Sequence, residues 1–152
     1  ECAEVTATID ILPTFAEFAG AKINREGIID GRDISPLLFG TPGAKSPHEA
    51  YYFYQMDQLQ AVRSGPWKLF LDMNSKKRNW GKPEGKSQLK LFNLVKDIHE
   101  DKNIAGQNPK VVQRLLALAE KAREDLGDVG RPGKNQRSAG WVQEGKTLLM
   151  KK

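Results

Sequence analysis

Residue types that build catalytic centres and disulfide frameworks are scarce in this sequence. Its 152 residues include one cysteine and two histidines. A lone cysteine, Cys2, cannot form an intramolecular disulfide, so cysteine usage leaves the redox compartment open. His48 and His99 fall in separate polar turns, and no serine or cysteine lies in a nucleophile context such as G-x-S-x-G. No recognisable catalytic set is therefore encoded in these residues.

Long apolar runs are also missing. No stretch approaches the roughly 20 apolar residues that a membrane-spanning helix needs, so we expect no membrane partner. Residues 1–4 have neither the basic region nor the apolar core of a signal peptide, and we expect an internal segment of a longer protein. Only 39% of the residues are hydrophobic, which predicts about one domain with a small core and long polar connections.

Positive charge is present but not concentrated. The formal net charge of +5 would suit a polyanionic partner, yet Lys and Arg are spread along the chain, and the densest run, residues 76–78, falls in a predicted loop. This distribution favours a solvated basic face over a nucleic-acid site, with a sulfated or carboxylated glycan as the other polyanion to consider. Residues 27–31 lack the G-x-x-x-x-G-K-[ST] pattern of a phosphate-binding loop.

Two segments near the amino terminus carry helix signals. In Ile9–Gly20, Asp10 can cap the helix and Pro13 falls in its first turn. A cap at Thr6 is the alternative, and it would place Pro13 inside the helix and kink it. The segment 28–40 predicts a turn and one further helical turn. The first helix has one apolar face, made by Ile11, Leu12, Phe15, Ala16, Phe18 and Ala19.

The stretch 51–72 predicts adjacent strands joined by tight turns. Composition and alternation place strands at 50–55, 59–63 and 67–71, and a fourth at 89–94. In the third strand Trp67, Leu69 and Leu71 point to one face of the sheet, while Lys68 and Phe70 point to the other. This pattern fits a sheet with one buried face.

The longest predicted helix begins after Asn108, a cap followed by Pro109 at the first helical position, and runs to about Leu126, with Gly127 as its stop. Its apolar stripe predicts packing across one face of the sheet. The fold class is therefore α+β: a small antiparallel sheet of about four strands packed against one long carboxyl-terminal helix, with a short amino-terminal helix and an extended tail.

An acidic turn follows the fourth strand. Asp97, Glu100 and Asp101 invite a metal interpretation, because carboxylates are hard oxygen ligands. The turn lacks the glycine and the ligand spacing of a calcium loop, and His99 has no paired histidine. Capping and turn hydrogen bonds are the favoured interpretation, and we assign no metal ligand in the chain.

Four segments, taken in order, resemble motifs of the sulfatase family. The first two resemble D-x-x-P-T-x-x-x-x-x-G and D-G-x-[DS]-x-x-P-L-L-x-G, which sulfatases carry where the large catalytic domain passes into the smaller carboxyl-terminal one. Residues 61–68 resemble AVR-x-G-x-W-K. Residues 91–105 resemble L-Y-N-L-x-x-D-P-x-E-x-x-N-L-A, with Phe92 and Ile98 in place of the usual Tyr and Pro. The matching positions of the first two motifs are Asp10, Pro13, Thr14, Gly20, Asp30, Gly31, Ser35, Pro36, Leu37, Leu38 and Gly40.

The resemblance implies hydrolysis of sulfate esters by a longer protein. Sulfatases use a formylglycine, made from the Cys or Ser of a C/S-x-P-x-R motif, beside a calcium ion held by Asp and Asn side chains. Cys2 is followed by Ala3 and Glu4, so it cannot be that residue. The resemblance therefore places formylglycine and calcium upstream of Glu1, with no cofactor in this segment. It also implies a periplasmic or secreted enzyme.

On this interpretation the chain divides into three parts. Residues 1–47 connect to the catalytic domain, residues 48–127 form the sheet-and-helix subdomain, and residues 128–152 form the tail. We expect the segment alone to be inactive, and its partners to be the catalytic domain and a sulfated small molecule or glycan. The alternative function is a non-catalytic module that binds acidic glycans or nucleic acid.

The polar connection between the first two strands is the candidate for touching substrate. Its polarity beside the edge of the sheet motivates the hypothesis that it borders the substrate cleft and tunes which ester fits. Arg63 and Lys68 are further candidates, although a structural role is the stronger interpretation of both. Trp80 lies among cations and could stack on a sugar, or fold back on the sheet. The candidate residues are Gln55, Asp57, Gln58, Gln60 and Trp80.

Overall fold

A four-stranded antiparallel sheet forms the centre of the molecule. The computed structural model describes residues 1–23, 27–72, 88–138 and 140–145. The strands lie in the order β1-β2-β3-β4, each paired with the next along the chain. They are β1 Tyr51–Gln55, β2 Gln58–Ser64, β3 Trp67–Phe70 and β4 Lys90–Asn93. All four lie where the alternating pattern of the sequence predicted them.

The buried face of the sheet is covered by one long helix, α3, Pro109–Leu126. The helix begins with Pro109, which costs no hydrogen bond at this position, and ends at Gly127, whose φ of +94° favours glycine. Asn108 precedes the helix, but its side chain accepts no capping bond and instead donates to the Ile104 carbonyl, 3.0 Å away. The core between helix and sheet consists of Leu59, Val62, Leu69, Leu71, Leu91, Leu115, Leu118, Ala119 and Ala122.

The register of the first hairpin contains an irregularity. Tyr51, Tyr52 and Phe53 pair with Arg63, Val62 and Ala61, whereas Tyr54 pairs with Leu59, so the register shifts between Phe53 and Tyr54. An extra residue of this kind increases the local twist and re-aims the strand. The extra residue is Gln60, so β2 is the strand that bends at this point.

The amino-terminal helix forms as predicted, but its apolar face is not buried. A 3-10 turn, Thr8–Asp10, leads into α1, Ile11–Phe18, and the only buried residue of α1 is Thr14. Phe15 is 60% exposed, and the neighbouring apolar side chains are similar. The short helix α2, Ser35–Leu38, has Ile34 at its cap position and no side-chain cap, and the Asp33 carboxylate forms a local turn by accepting from the Ser35 N–H at 2.9 Å. The exposed apolar residues on this side are Ile9, Ile11, Leu12, Phe15, Phe18, Leu38 and Phe39; we call them the α1 face.

The chain after α3 turns back on the helix. Strands β5, Gly127–Asp128, and β6, Arg131–Pro132, form a two-stranded hairpin. The Lys134 N–H donates to the Glu124 carbonyl at 2.8 Å, and the Arg137 guanidinium lies 2.6 Å from the Asp30 carboxylate. The start of the tail is thus fastened to the end of α3 and to the amino-terminal segment. Within the described ranges, no helix has the length and apolar character to cross a bilayer.

Candidate functional site

The structure brings the predicted substrate-bordering residues of the first hairpin together at one end of the sheet. Gln55 and Gln58 face each other as the last pair of β1 and β2, and Asp57 lies in the turn between them. The Gln60 side-chain amide donates to the Gln55 side-chain oxygen. Trp80, the fifth candidate, lies outside the described residues. Whether the hairpin borders a substrate cleft stays a prediction.

The second face of the sheet carries an ion pair held between aromatic rings. Lys68 Nζ lies 2.6 Å from Glu100 Oε1, 5.0 Å from the Phe53 ring centroid and 4.6 Å from that of Phe70. The Lys68 side chain is only 17% exposed, so solvent screens this pair less than it screens a surface pair. Because a cation over two ring faces gains from both, the geometry favours a structural role for Lys68.

Arg63 is also occupied by the chain itself. Its guanidinium donates to the Ala3 carbonyl at 2.6 Å and to the Gly65 carbonyl at 3.3 Å. These bonds tie the first residues of the chain to the turn between β2 and β3. The structural interpretation of Arg63 is thereby favoured over a substrate contact.

A buried carboxylate organises the amino-terminal segment. Asp10 is 0% exposed, and its two oxygens accept from the Ala7 N–H at 2.8 Å and the Arg32 N–H at 2.9 Å, while His48 Nε2 lies 2.8 Å away. Burial alone would raise the pKa of Asp10, but the bonds from Arg32, Ala7 and His48 hold the pKa below its ordinary value. We call this arrangement the Asp10 clasp. Asp10 stands at the cap position of α1, as predicted, but its side chain makes no capping bond to α1 and accepts instead from Ala7, just before the 3-10 turn, and from Arg32.

The acidic turn after β4 is held by its own backbone. The Asp97 carboxylate accepts from the Asp101 N–H at 3.0 Å and the Lys102 N–H at 2.9 Å, and these bonds from Lys102 and Asp101 lower the pKa of Asp97. The preferred turn interpretation is confirmed for Asp97. Among the described residues, no group of three or more His, Cys, Asp or Glu side chains could hold a metal ion.

The segment Ser64–Lys68 comes nearest to the C/S-x-P-x-R pattern, with Lys in place of Arg. Ser64 is buried, and its hydroxyl donates to the Glu49 carbonyl at 2.8 Å and accepts from Arg114 at 2.9 Å. A hydroxyl enclosed in this way has no path to a substrate. Ser64 therefore links α3 to the sheet and is no candidate for formylglycine.

Sequence reasoning missed two features of these sites. Met56, between Gln55 and Asp57, has a φ of +55°, and Glu100 has a φ of +60°. A left-handed conformation is uncommon in residues other than glycine, asparagine and aspartate, and nothing in the local sequence signals it. The partners of Asp10 were also missed, since Arg32 and His48 lie 22 and 38 residues further on.

Comparison with known proteins identifies the family. Residues 46–149 match the family model described as the C-terminal region of aryl-sulfatase. Human arylsulfatase A is 34% identical in an alignment of 134 residues that covers 76% of this chain and 26% of that protein. Mouse steryl-sulfatase is 44% identical in an alignment of 72 residues that covers 45% of this chain and 11% of that protein. The chain thus spans about a quarter or less of these relatives.

The solved structures agree at the level of the fold. The crystal structure of Ps i-CgsB has a TM-score of 0.56 and 23% identity, and the match covers 78% of this chain and 24% of the other. The matched region again corresponds to one part of a larger protein. The four motifs, the sheet-and-helix architecture and the family match agree, and the chain belongs to the aryl-sulfatase family as a carboxyl-terminal region.

Proposed function

We propose that the chain is the carboxyl-terminal part of an enzyme that hydrolyses sulfate esters, and that it is inactive when separated from the catalytic region. The α1 face is the observation that supports this dependence on the catalytic region. The seven large apolar residues of this face have exposed fractions between 48%, at Phe18, and 74%, at Phe39. A monomeric domain rarely leaves so contiguous an apolar surface in water.

The catalytic region of the same protein is the partner that we propose for the α1 face. The relatives matched by this chain are about four or more times longer than the matched part, and a protein of that length would have a second body to cover the face. Burial of each Phe or Leu of the face contributes on the order of 1.5 to 3 kcal/mol. That body would also supply the calcium ion, which would polarise the sulfate ester, and the formylglycine, which would be the nucleophile.

The test compares the 152-residue chain with the protein translated from the complete reading frame. With p-nitrophenyl sulfate as substrate, we expect turnover by the complete protein and none by the isolated chain. Turnover by the isolated chain at a comparable rate would contradict the dependence on the catalytic region. A complete protein with no activity on any sulfate ester would contradict the function itself. Export to the periplasm or the medium, which we also propose, is tested by measuring this activity in each fraction.

We further propose that the polar end of the first hairpin borders the substrate cleft of the complete enzyme. Gln58→Ala removes an amide there without touching the core, and we expect a changed ranking of sulfate esters by kcat/KM. Lys110→Ala, on an exposed residue of α3, is the matched control and should leave the ranking unchanged. An identical ranking of esters for Gln58→Ala and wild type would contradict this proposal.

The alternative function, binding of acidic glycans or nucleic acid by the chain alone, has its own measurement. A true polyanion site loses affinity steeply as salt rises. Titration of the isolated chain with heparin and with a single-stranded oligonucleotide at two salt concentrations would reveal such a site.

A further inference from the structure

The start of the tail lies directly against the end of α3. The Asn135 N–H donates to the Asp125 carbonyl at 3.0 Å, and the Asn135 side-chain amide donates to the Asp125 carboxylate at 2.6 Å. A Cβ on Gly133 would lie 2.3 Å from the Asp125 carbonyl oxygen, so the two backbones touch there. The path of the tail is therefore set by α3 as far as Asn135.

Two residues further on, Arg137 lies at the rim of an apolar cavity beside α1. Its guanidinium donates to the Asp30 carboxylate at 2.6 Å and to the Ile28 carbonyl at 3.4 Å. The cavity has a volume of about 620 Å³, and both Asp30 and Arg137 line it. This ion pair is exposed and contributes little free energy, but it shows where the tail passes the cavity. The apolar lining consists of Ile9, Ile11, Leu12, Phe15, Ile28 and Ile29.

The tail carries a large apolar side chain four residues beyond Arg137. Trp141 is 82% exposed and Val142 is 70% exposed, whereas tryptophan is highly buried on average in folded proteins. Four residues of extended chain span about 14 Å, so Trp141 can reach the cavity from an attachment at its rim. Such a short tether makes the contact intramolecular and gives it a high effective concentration.

We propose that Trp141 and Val142 form a lid, attached at Arg137, that closes the near end of this cavity by packing on Ile28 and Ile29. The structure holds the lid open, with Trp141 in water and Ile28 70% exposed. Closure removes both apolar surfaces from water and leaves the part of the tail on α3 unchanged. The lid needs only this chain, so the proposal does not depend on the function proposed above.

The test labels the three tryptophans of the 152-residue chain with fluorotryptophan and measures how strongly a soluble nitroxide relaxes each fluorine resonance. Trp141→Phe identifies the Trp141 resonance by its loss. Ile28→Ser should increase the nitroxide relaxation of this resonance about threefold or more, because loss of one apolar contact shifts a closing equilibrium about tenfold. Trp67 packs against the core, and its unchanged resonance shows that the variant remains folded.

Ile98→Ser is the matched control. Ile98 is 69% exposed and lines a different cavity, together with Arg63 and Leu94. This substitution should leave the relaxation of the Trp141 resonance unchanged. A Trp141 resonance that is as accessible to the nitroxide in wild type as in Ile28→Ser overturns the proposal. Protection of Trp141 that appears only as the protein concentration rises also overturns it, because a second copy of the chain would then be the cover.

Discussion

Asp10 shows how one buried charge joins distant parts of a chain. Its carboxylate has no exposed surface and receives N–H groups from Ala7 and Arg32 beside the imidazole of His48. A buried carboxylate with several donors is stabilised in its charged form, and loss of the charge leaves donors without an acceptor. Asp10 therefore joins the start of the 3-10 turn to the segment around Arg32 and to His48.

Replacement of Asp10 by Asn should destabilise the chain by about 3 kcal/mol at neutral pH, because one amide cannot accept from all three donors. The folded-state pKa of Asp10 lies below its ordinary value, so its contribution is complete above the unfolded pKa of about 4 and is lost as pH falls further. Urea denaturation of wild type and Asp10→Asn should therefore give a constant difference from pH 7 to about 5 and a shrinking one below about 4.

Asp33→Asn is the control for this prediction. Asp33 also accepts a backbone N–H, but it is exposed and lies in a local turn where Asn serves as well. Its effect should stay within about 0.5 kcal/mol at each pH. Equal effects of the two substitutions would show that the clasp adds nothing to stability.

At the scale of elements, the join between α1 and the following loop depends on one glycine. A Cβ on Gly31 would lie 2.0 Å from the Ile9 carbonyl oxygen, whereas a Cβ on Gly27, four residues earlier, would meet nothing within 4 Å. Such a contact forces the backbone of the loop away from the start of the helix. The glycine of the second family motif thus allows the two backbones to touch.

We expect Gly31→Ala to lower the free energy of unfolding by about 2 kcal/mol or more. Gly27→Ala should be neutral or slightly stabilising, since alanine restricts the unfolded chain. Thermal unfolding of the two variants measures the difference directly. A midpoint for Gly31→Ala equal to that of Gly27→Ala would contradict the close approach.

The elements themselves were predictable because their signals are local. The alternation in β3, and the proline and glycine that bound α3, fixed positions to within about a residue. The register shift after Phe53 and the left-handed Met56 were not predicted, because both follow from how β1 and β2 pair and turn, and no glycine or asparagine marks that turn in the sequence. The polar hairpin was predicted as a candidate site from composition alone. The hydrogen bond between Gln55 and Gln60 was not predictable from composition, because it forms only when β1 and β2 pair.

At the scale of the whole molecule, the α1 face is an apolar surface that this chain does not bury by itself. The sequence predicted an amphipathic helix correctly, and periodicity shows only which side is apolar. The described residues bury Thr14 of α1 and leave Phe15 exposed. The free energy that this stripe can contribute is released only in contact with a further surface.

Phe15→Glu should therefore have opposite consequences in two proteins. In the isolated chain it should reduce dye binding and concentration-dependent association while changing the unfolding free energy by no more than about 0.5 kcal/mol. In the complete protein it should destabilise by about 3 kcal/mol or more, because it places a charge in a buried contact. Ala117→Glu, on an exposed residue of α3, should change neither the association nor the free energy of unfolding of either protein. A silent Phe15→Glu in the complete protein would contradict burial of the face.

The short sequence span of the Asp10 clasp has a consequence for the order of folding during synthesis. Its members all lie before residue 49, whereas the core requires α3, which ends at Leu126. Because a protein emerges from the ribosome amino terminus first and near contacts close faster than distant ones, the clasp can close before β1 has a partner. The α1 face is then formed while the sheet is still being made.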